Sequence, residues 1–281
     1  MDKRDLEQRT LAACAVAHEA GWLMRRHYRE RSAGRISFKG PQDFLTVVDG
    51  AVERLVVERL SRAFPTDGFV GEEGGGSYGP RTWVIDPIDG TSNFARGMPH
   101  FCVSIAFLDG RRPAIGVIYD PIADELFAAR RGGGATVNGR PMRVSGATDL
   151  RRATIELGWS TRRTPETYTG TVQRILAAGG GFHRSGSGAL GLAYVADGRN
   201  DGYFEAHINA WDALAALVMV REAGGWTNDF LAGDGLRKGN AVLACTPGLR
   251  AILQKLTRSA VDAGTAEHRP KARTVRQGRK S

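Results

Sequence analysis

The chain has 281 residues, of which 42% are hydrophobic and 25% charged, with a formal net charge of +9. That length suits one large domain or two fused lobes, and the composition excludes a disordered chain. The 37 glycines, nearly twice the usual share of ~7%, predict many tight turns and close backbone approaches of the kind a loop-built site needs.

In chain order, Leu6, Ala13, Ala17, Ala20, Leu23 and Met24 recur at helical spacing and predict a helix over 5–30. A second helix is expected over 50–64 on Val52, Leu55, Val56, Leu60 and Ala63, stopped by Pro65. Residues 72–76 read as a glycine-rich loop, and 83–86 as a buried strand that enters a turn at Pro87. Strands over 101–108, 114–119 and 125–130, broken at Asp109-Gly110, Asp120-Pro121 and Gly132–Gly134, predict an antiparallel meander. Asn138-Gly139 signals a hairpin. Beyond it come a strand at 153–157, helices at 171–178 and 189–196, and a strand at 203–205. A helix at 212–223 closes on Gly224-Gly225, a strand follows at 240–245, and Pro247 opens a last helix.

These elements divide into an N-terminal α+β lobe (1–150), a C-terminal α/β lobe (151–268) and a tail (269–281). The tail holds six basic residues and no acid, which leaves the body only +3. Like charges without apolar periodicity predict a disordered tail. Cys14, Cys102 and Cys245 show no metal-binding spacing and are expected as free thiols of a reducing compartment. The N-terminus lacks a signal-like apolar stretch, and the longest apolar run, 213–220, is far short of the ~20 residues that span a bilayer. A soluble cytoplasmic protein is the expectation.

The chemistry concentrates in Trp83-Val-Ile-Asp86-Pro-Ile-Asp89-Gly-Thr91. An apolar strand delivers two carboxylates three residues apart into a turn fixed by Pro87 and opened by Gly90. Such a pair repels unless a cation lies between, and hard oxygen ligands suit Mg²⁺. Glu72-Glu73 lies upstream, on a loop that would otherwise be a solvated surface. Asp212 begins a helix, where it serves as a cap or beside a bound anion. Asp49 is either the cap of the second helix or part of the same chemistry. His100, His183 and His207 are assigned to the surface or the pocket rim, because such a site needs no imidazole.

Several ordered motifs resemble the inositol monophosphatase family of Mg²⁺-dependent, lithium-sensitive phosphatases. They are Asp43-x-x-Thr46-x-x-Asp49, Gly71-Glu72-Glu73, Asp86-Pro-Ile-Asp89-Gly-Thr91-x-Asn93-Phe94, and Trp211-Asp212 leading into Arg221-Glu-Ala-Gly-Gly225. The resemblance covers residues 5–258 and implies a five-layer α-β-α-β-α sandwich of the inositol monophosphatase / fructose-1,6-bisphosphatase type, as a homodimer. It implies two or three Mg²⁺ per subunit, held by Glu72, Asp86, the Ile88 carbonyl and Asp89, with Asp212 completing a second site. Thr91 and Asp49 would orient the attacking water with help from Glu72, and Gly90 and Thr91 would offer amides to the phosphate. Arg184, Ser187, Gly188, Ala189, Glu205 and Asp212 would contact the substrate, with Glu205 reading its hydroxyls. Lys39 and Glu73 would stand behind the metals. Leu214, Gly188 and Gly191 depart from the family pattern and bear on the pocket rather than on the metals.

The implied activity is hydrolysis of a polyol phosphate monoester, foremost myo-inositol 1-phosphate. Histidinol phosphate, fructose 1,6-bisphosphate and 3′-phosphoadenylated nucleotides are alternatives within the same chemistry. A different class of function is weak RNA or transcription-complex binding through the basic tail.

Overall fold

The computed structural model describes the backbone of residues 1–30, 37–40, 43–45 and 47–266, and the side chains of 1–30 and 47–258. The expectations for the Lys39 and Asp43 side chains, for Thr46 of the first motif, and for the tail at 269–281 lie outside the described residues.

Helix α1 (Lys3–Arg29) starts at Asp2, whose carboxylate accepts the Asp5 amide at 2.8 Å. It buries the stripe read from the sequence, Leu6, Ala13, Ala17, Ala20 and Met24. A two-stranded ribbon, β1 (Ser37–Gly40) and β2 (Asp43–Leu45), leads to α2 (Val47–Ala63), which begins three residues earlier than its apolar period suggests. Next come β3 (Gly68–Gly71), β4 (Gly75–Gly76) and β5 (Arg81–Asp89). The glycine-rich loop is therefore shorter than expected, because its last two residues pair back on β3.

A short helix, α3 (Thr91–Arg96), precedes the meander β6 (Cys102–Asp109), β7 (Arg112–Asp120), β8 (Glu125–Arg130), β9 (Gly134–Val137) and β10 (Arg140–Pro141). Asn138 and Gly139 turn the last hairpin with φ of 47° and 77°, as a type I′ turn requires. The order β10-β9-β8-β7-β6-β5-β3-β4 makes one eight-stranded sheet, antiparallel except between β3 and β5.

The second half supplies β11 (Thr154–Leu157), α4 (Pro165–Ala177), β12 (Gly181–His183), α5 (Gly188–Ala196), β13 (Gly202–Ile208), α6 (Ala210–Glu222), β14 (Trp226–Thr227), α7 (Gly235–Lys238), β15 (Asn240–Cys245) and α8 (Arg250–Ala266). Its five strands run β12-β11-β13-β15-β14, with β11 parallel to both neighbours and β15 antiparallel to both of its own. Helix α4 starts six residues before the expected position, since Thr164 caps it and Pro165 occupies its first turn.

The cores reveal the layers. Trp83, Ile85, Ile105, Phe107, Val117 and Tyr119 face α1 and α2, whereas Val84, Ala106, Leu108 and Ile118 on the opposite face meet α5 and α6. Tyr203, Ile208, Val242 and Ala244 of the second sheet close on α5 and α6 from the other side. Ile155, Phe204, Leu243 and Cys245 pack outward with α4 and α8. The result is the expected five-layer α-β-α-β-α sandwich. Helix α6 is enclosed between two sheets, which explains the uninterrupted apolar run of its sequence. It lies so close to β7 that a Cβ on Gly116 would collide with the Ala215 carbonyl. Across the outer layer, buried Arg9 donates from Nε to Asp67 Oδ2 at 2.9 Å, and Trp83 Nε1 donates to the same oxygen at 3.2 Å.

Candidate metal centre

The strand expected to end at Asp86 runs on through Pro87, since β5 reaches Asp89 and only a register shift against β6 separates the two acids, Asp86 opposite Ser104 and Asp89 opposite Cys102. Asp86 Oδ1 accepts the Ile88 amide at 3.0 Å, a local turn that Pro87 favours. Gly90 then takes φ 92°, a left-handed conformation, and a Cβ there would press on the His100 carbonyl at 3.0 Å.

Asp89 is held from the second half of the chain. Its carboxylate accepts the Ser187 hydroxyl, the Ala189 amide at 2.7 Å and the Gly188 amide at 3.3 Å. These are the cap and first turn of α5, where the helix dipole favours an anion. Asp212 lies at the third position of α6. Its Oδ2 accepts the Asn209 amide at 3.0 Å in a capping box, so Asn209 is the cap and Asp212 its reciprocal partner.

Strand β5 and helix α6 thus bring their acids to one point: Asp86, Asp89 and Asp212 each place a carboxylate oxygen within 4.8 Å of the others. Burial first, and then the charges of Glu72, Asp212 and Asp89, hold the Asp86 carboxyl well above the usual range. Burial also raises Asp89, against the lowering effect of its three donors. Asp212 is pushed up to about 7 by burial and by Asp89. A cluster so penalised when ionised, and built of hard oxygens, fits a divalent cation of the Mg²⁺ class.

Around the cluster, the Thr91 hydroxyl sits 2.7 Å from the Ile88 carbonyl and 3.4 Å from Asp49 Oδ1. Asp49 is in the first turn of α2 and almost wholly buried; it faces Thr91 and is not the helix cap. Glu72 and Asp212 line a cavity of about 960 Å³ together with Arg184 and Glu205. Glu205 receives the Tyr203 hydroxyl at 2.7 Å, and burial raises its carboxyl to about 8. A smaller cavity of about 160 Å³ is bordered by Asp89, Ser187, Gly188, Glu205 and Asp212. Ala189 is fully buried and reaches the site through its amide alone. Glu73 is partly exposed.

Leu214 is fully buried in the core between the sheets rather than on the cavity wall. Gly188 is narrow for a reason, since a Cβ there would come 2.8 Å from Ile208 Cδ1 and 3.2 Å from the Tyr203 hydroxyl. Of the histidines, His207 lines the large cavity, with Nε2 2.8 Å from the Lys238 carbonyl. Two further participants have no role assigned from the sequence: Glu53, which it does not single out, and Asn93, which it names only as part of a motif. Glu53 on α2 accepts the Glu73 and Gly74 amides at 2.9 and 2.6 Å and so shapes the loop that carries Glu72. Asn93 donates to the Ser185 and His100 carbonyls at 3.0 and 2.7 Å, tying α3 to the loop before α5. Glu53 reads as one more polar helix residue, whereas Asn93 follows Thr91 closely enough for its position to be a signal.

Comparison with known proteins agrees with this geometry. A curated relative named Nus factor SuhB, from Xylella fastidiosa, is 43% identical over 225 residues, covering 79% of this chain and 82% of its own. An inositol-1-monophosphatase of Rhizobium meliloti is 39% identical over 247 residues, covering 84% and 92%. The solved inositol monophosphatase of Anabaena (Nostoc) superposes with a TM-score of 0.79 at 33% identity, covering 91% and 97%. The model of the inositol monophosphatase family matches residues 5–265. With the sandwich, the acidic cluster and this match in agreement over nearly the whole chain, the protein belongs to the inositol monophosphatase family.

Proposed function

We propose that the chain is a Mg²⁺-dependent phosphate monoester hydrolase acting on a polyol phosphate, with myo-inositol 1-phosphate as its first candidate substrate. The observation that carries this reading is the convergence of Asp86, Asp89 and Asp212 within 4.8 Å, beside the Thr91–Asp49 pair. Asp86, Asp89 and Asp212, with Glu72 and the Ile88 carbonyl, would hold the two or three Mg²⁺ ions that the family resemblance implies, and the metal would supply charge neutralisation at the phosphate oxygens and a lowered pKa for a water.

The chain's own groups do the positioning. The Thr91 hydroxyl accepts a hydrogen bond from the attacking water while donating its proton toward Ile88 or Asp49, and Glu72 flanks the same water. The Gly90 and Thr91 amides hold phosphate oxygens at the start of α3. Glu205, backed by the Tyr203 hydroxyl, reads hydroxyls of the leaving polyol, and Arg184 approaches from the rim. Placement of this kind is worth several kcal/mol when the geometry is right, on the order of 7 or more. No covalent phosphoenzyme is needed.

A phosphate-release panel over myo-inositol 1-phosphate, histidinol phosphate, fructose 1,6-bisphosphate and 3′-phosphoadenosine 5′-phosphate, with and without Mg²⁺, tests the reading. Turnover of a polyol phosphate only with Mg²⁺ supports it; release that is indifferent to Mg²⁺ refutes it.

A second reading has its own support, because relatives including the one 43% identical are named as Nus factors. In it the fold also associates with a transcription complex, and the basic tail at 269–281 contributes phosphate contacts. Such contacts weaken steeply with salt. RNA retention at low salt that is the same with and without residues 269–281 rejects the tail's part in it.

A further inference from the structure

One carboxylate near the site is neither a ligand candidate nor a surface charge. Glu156 projects from β11, is only 2% exposed, and has no arginine or lysine partner among the described residues; the nearest basic group is His183, with Nε2 3.9 Å from its Oε2. Its Oε1 accepts the Ser185 amide at 3.2 Å and the Ser185 hydroxyl, and its Oε2 accepts Asn200 Nδ2 at 2.9 Å. Asn200 in turn meets His183 Nε2 at 2.9 Å. A buried carboxylate is tolerated only when hydrogen-bonded in this way. Room for it comes from Gly191 in the first turn of α5, where a Cβ would stand 2.5 Å from Glu156 Oε2.

Ser185 belongs to the segment that joins β12 to α5. Its carbonyl is gripped by Asn93 at 3.0 Å, and two residues later the same segment delivers the Ser187 hydroxyl and the Gly188 and Ala189 amides to Asp89. Arg184 immediately precedes it and faces the large cavity. Glu156 therefore anchors the near end of a short segment whose far end holds a carboxylate of the acidic cluster. Without Glu156, the Ser185 amide and hydroxyl lose their shared acceptor, and the residue keeps only the Asn93 contact.

We propose that Glu156 is a positioning residue: acting through Ser185 and the segment to Ala189, it orients Asp89 and thereby sets the affinity of the acidic cluster for a divalent cation. The inference rests on the cation-binding reading of Asp86, Asp89 and Asp212. Gly191 serves it by leaving the carboxylate its place. Groups that support the partners of metal ligands typically change metal affinity 10–100-fold when removed.

The test is calorimetric titration of Mg²⁺ into the purified full chain, its Glu156→Ala variant, its Glu156→Gln variant, which keeps an acceptor for Ser185, and its Ser185→Ala variant, each checked for folding by circular dichroism. Expected is a Kd about 10-fold higher for Glu156→Ala, recovery of most of that loss in Glu156→Gln, and a smaller rise for Ser185→Ala, which keeps the backbone bond. A Kd within about twofold of wild type in folded Glu156→Ala overturns the proposal, even if the melting temperature falls, because a purely structural role lowers the latter alone. Should Glu156→Ala not fold, Ser185→Ala decides: an unchanged Kd overturns the proposal. If the wild-type chain itself binds no Mg²⁺, the cation reading fails first and this inference with it.

Discussion

Replacing Asp212 by asparagine separates the cost of the acidic cluster from its use. The substitution keeps an oxygen for the Asn209 amide and so preserves the capping box of α6. It removes one of three carboxylates gathered within 4.8 Å. The Asp212 carboxyl is raised from 3.8 to about 7. Between those values the native state holds a proton that the unfolded state has released, so stability of the metal-free protein falls as pH rises, and the loss is complete above about pH 7. At about 1.36 kcal/mol per pKa unit the penalty at pH 8 reaches roughly 4 kcal/mol. Asp86 shares the cluster's protons, which reduces the relief on removing one charge to about 2 kcal/mol. For a chain of this size that is a rise in Tm of roughly 4–8 °C.

Thermal melts in EDTA at pH 8 and pH 5, repeated in 10 mM Mg²⁺, measure this. Asp212→Asn should stabilise the metal-free protein at pH 8, do so by about a third as much at pH 5, and abolish most of the Mg²⁺-induced rise. A variant less stable than wild type in EDTA at pH 8, with its Mg²⁺ response intact, would refute the reasoning.

Two further substitutions probe separate parts of the account. Thr91→Ala removes the hydroxyl between Ile88 and Asp49 and should lower kcat roughly 100-fold or more. Its Mg²⁺ affinity, read by calorimetry, should stay within a few-fold. Arg9→Met takes the buried guanidinium from Asp67 and leaves it Arg81, 3.5 Å away, as its remaining cation; it should cost up to about 3–5 kcal/mol, seen as an earlier urea midpoint, and a midpoint unchanged within error would contradict the buried-pair argument.

What could be read from the sequence is local. Asp86, Asp89 and Gly90 announce themselves because strand, turn and carboxylates occupy one short segment. Helix α1 and strands β6 to β8 follow from periodicity and punctuation. By contrast, the donors to Asp89 come from residues about a hundred positions away, and no spacing rule links Ser187 to Asp89. The role of Glu53 is hidden for the same reason, since its importance lies in the amides of Glu73 and Gly74. Helix α4 is legible in part: the apolar period places it at Thr171, while Thr164-Pro165 carries the stronger start signal. The strand order of the sheets, with β3 beside β5 and β15 between β13 and β14, depends on long-range pairing that periodicity does not encode.

The central claim is that the clustered carboxylates make this chain a metal-dependent phosphatase. Phosphate release from myo-inositol 1-phosphate by wild type and by Asp89→Asn, each with Mg²⁺ and with EDTA, tests it most directly. The account predicts release by wild type in Mg²⁺ alone, and a loss of roughly 100-fold or more in Asp89→Asn. Asp89→Asn turning over at near wild-type rate, or wild-type release that persists in EDTA, would contradict it.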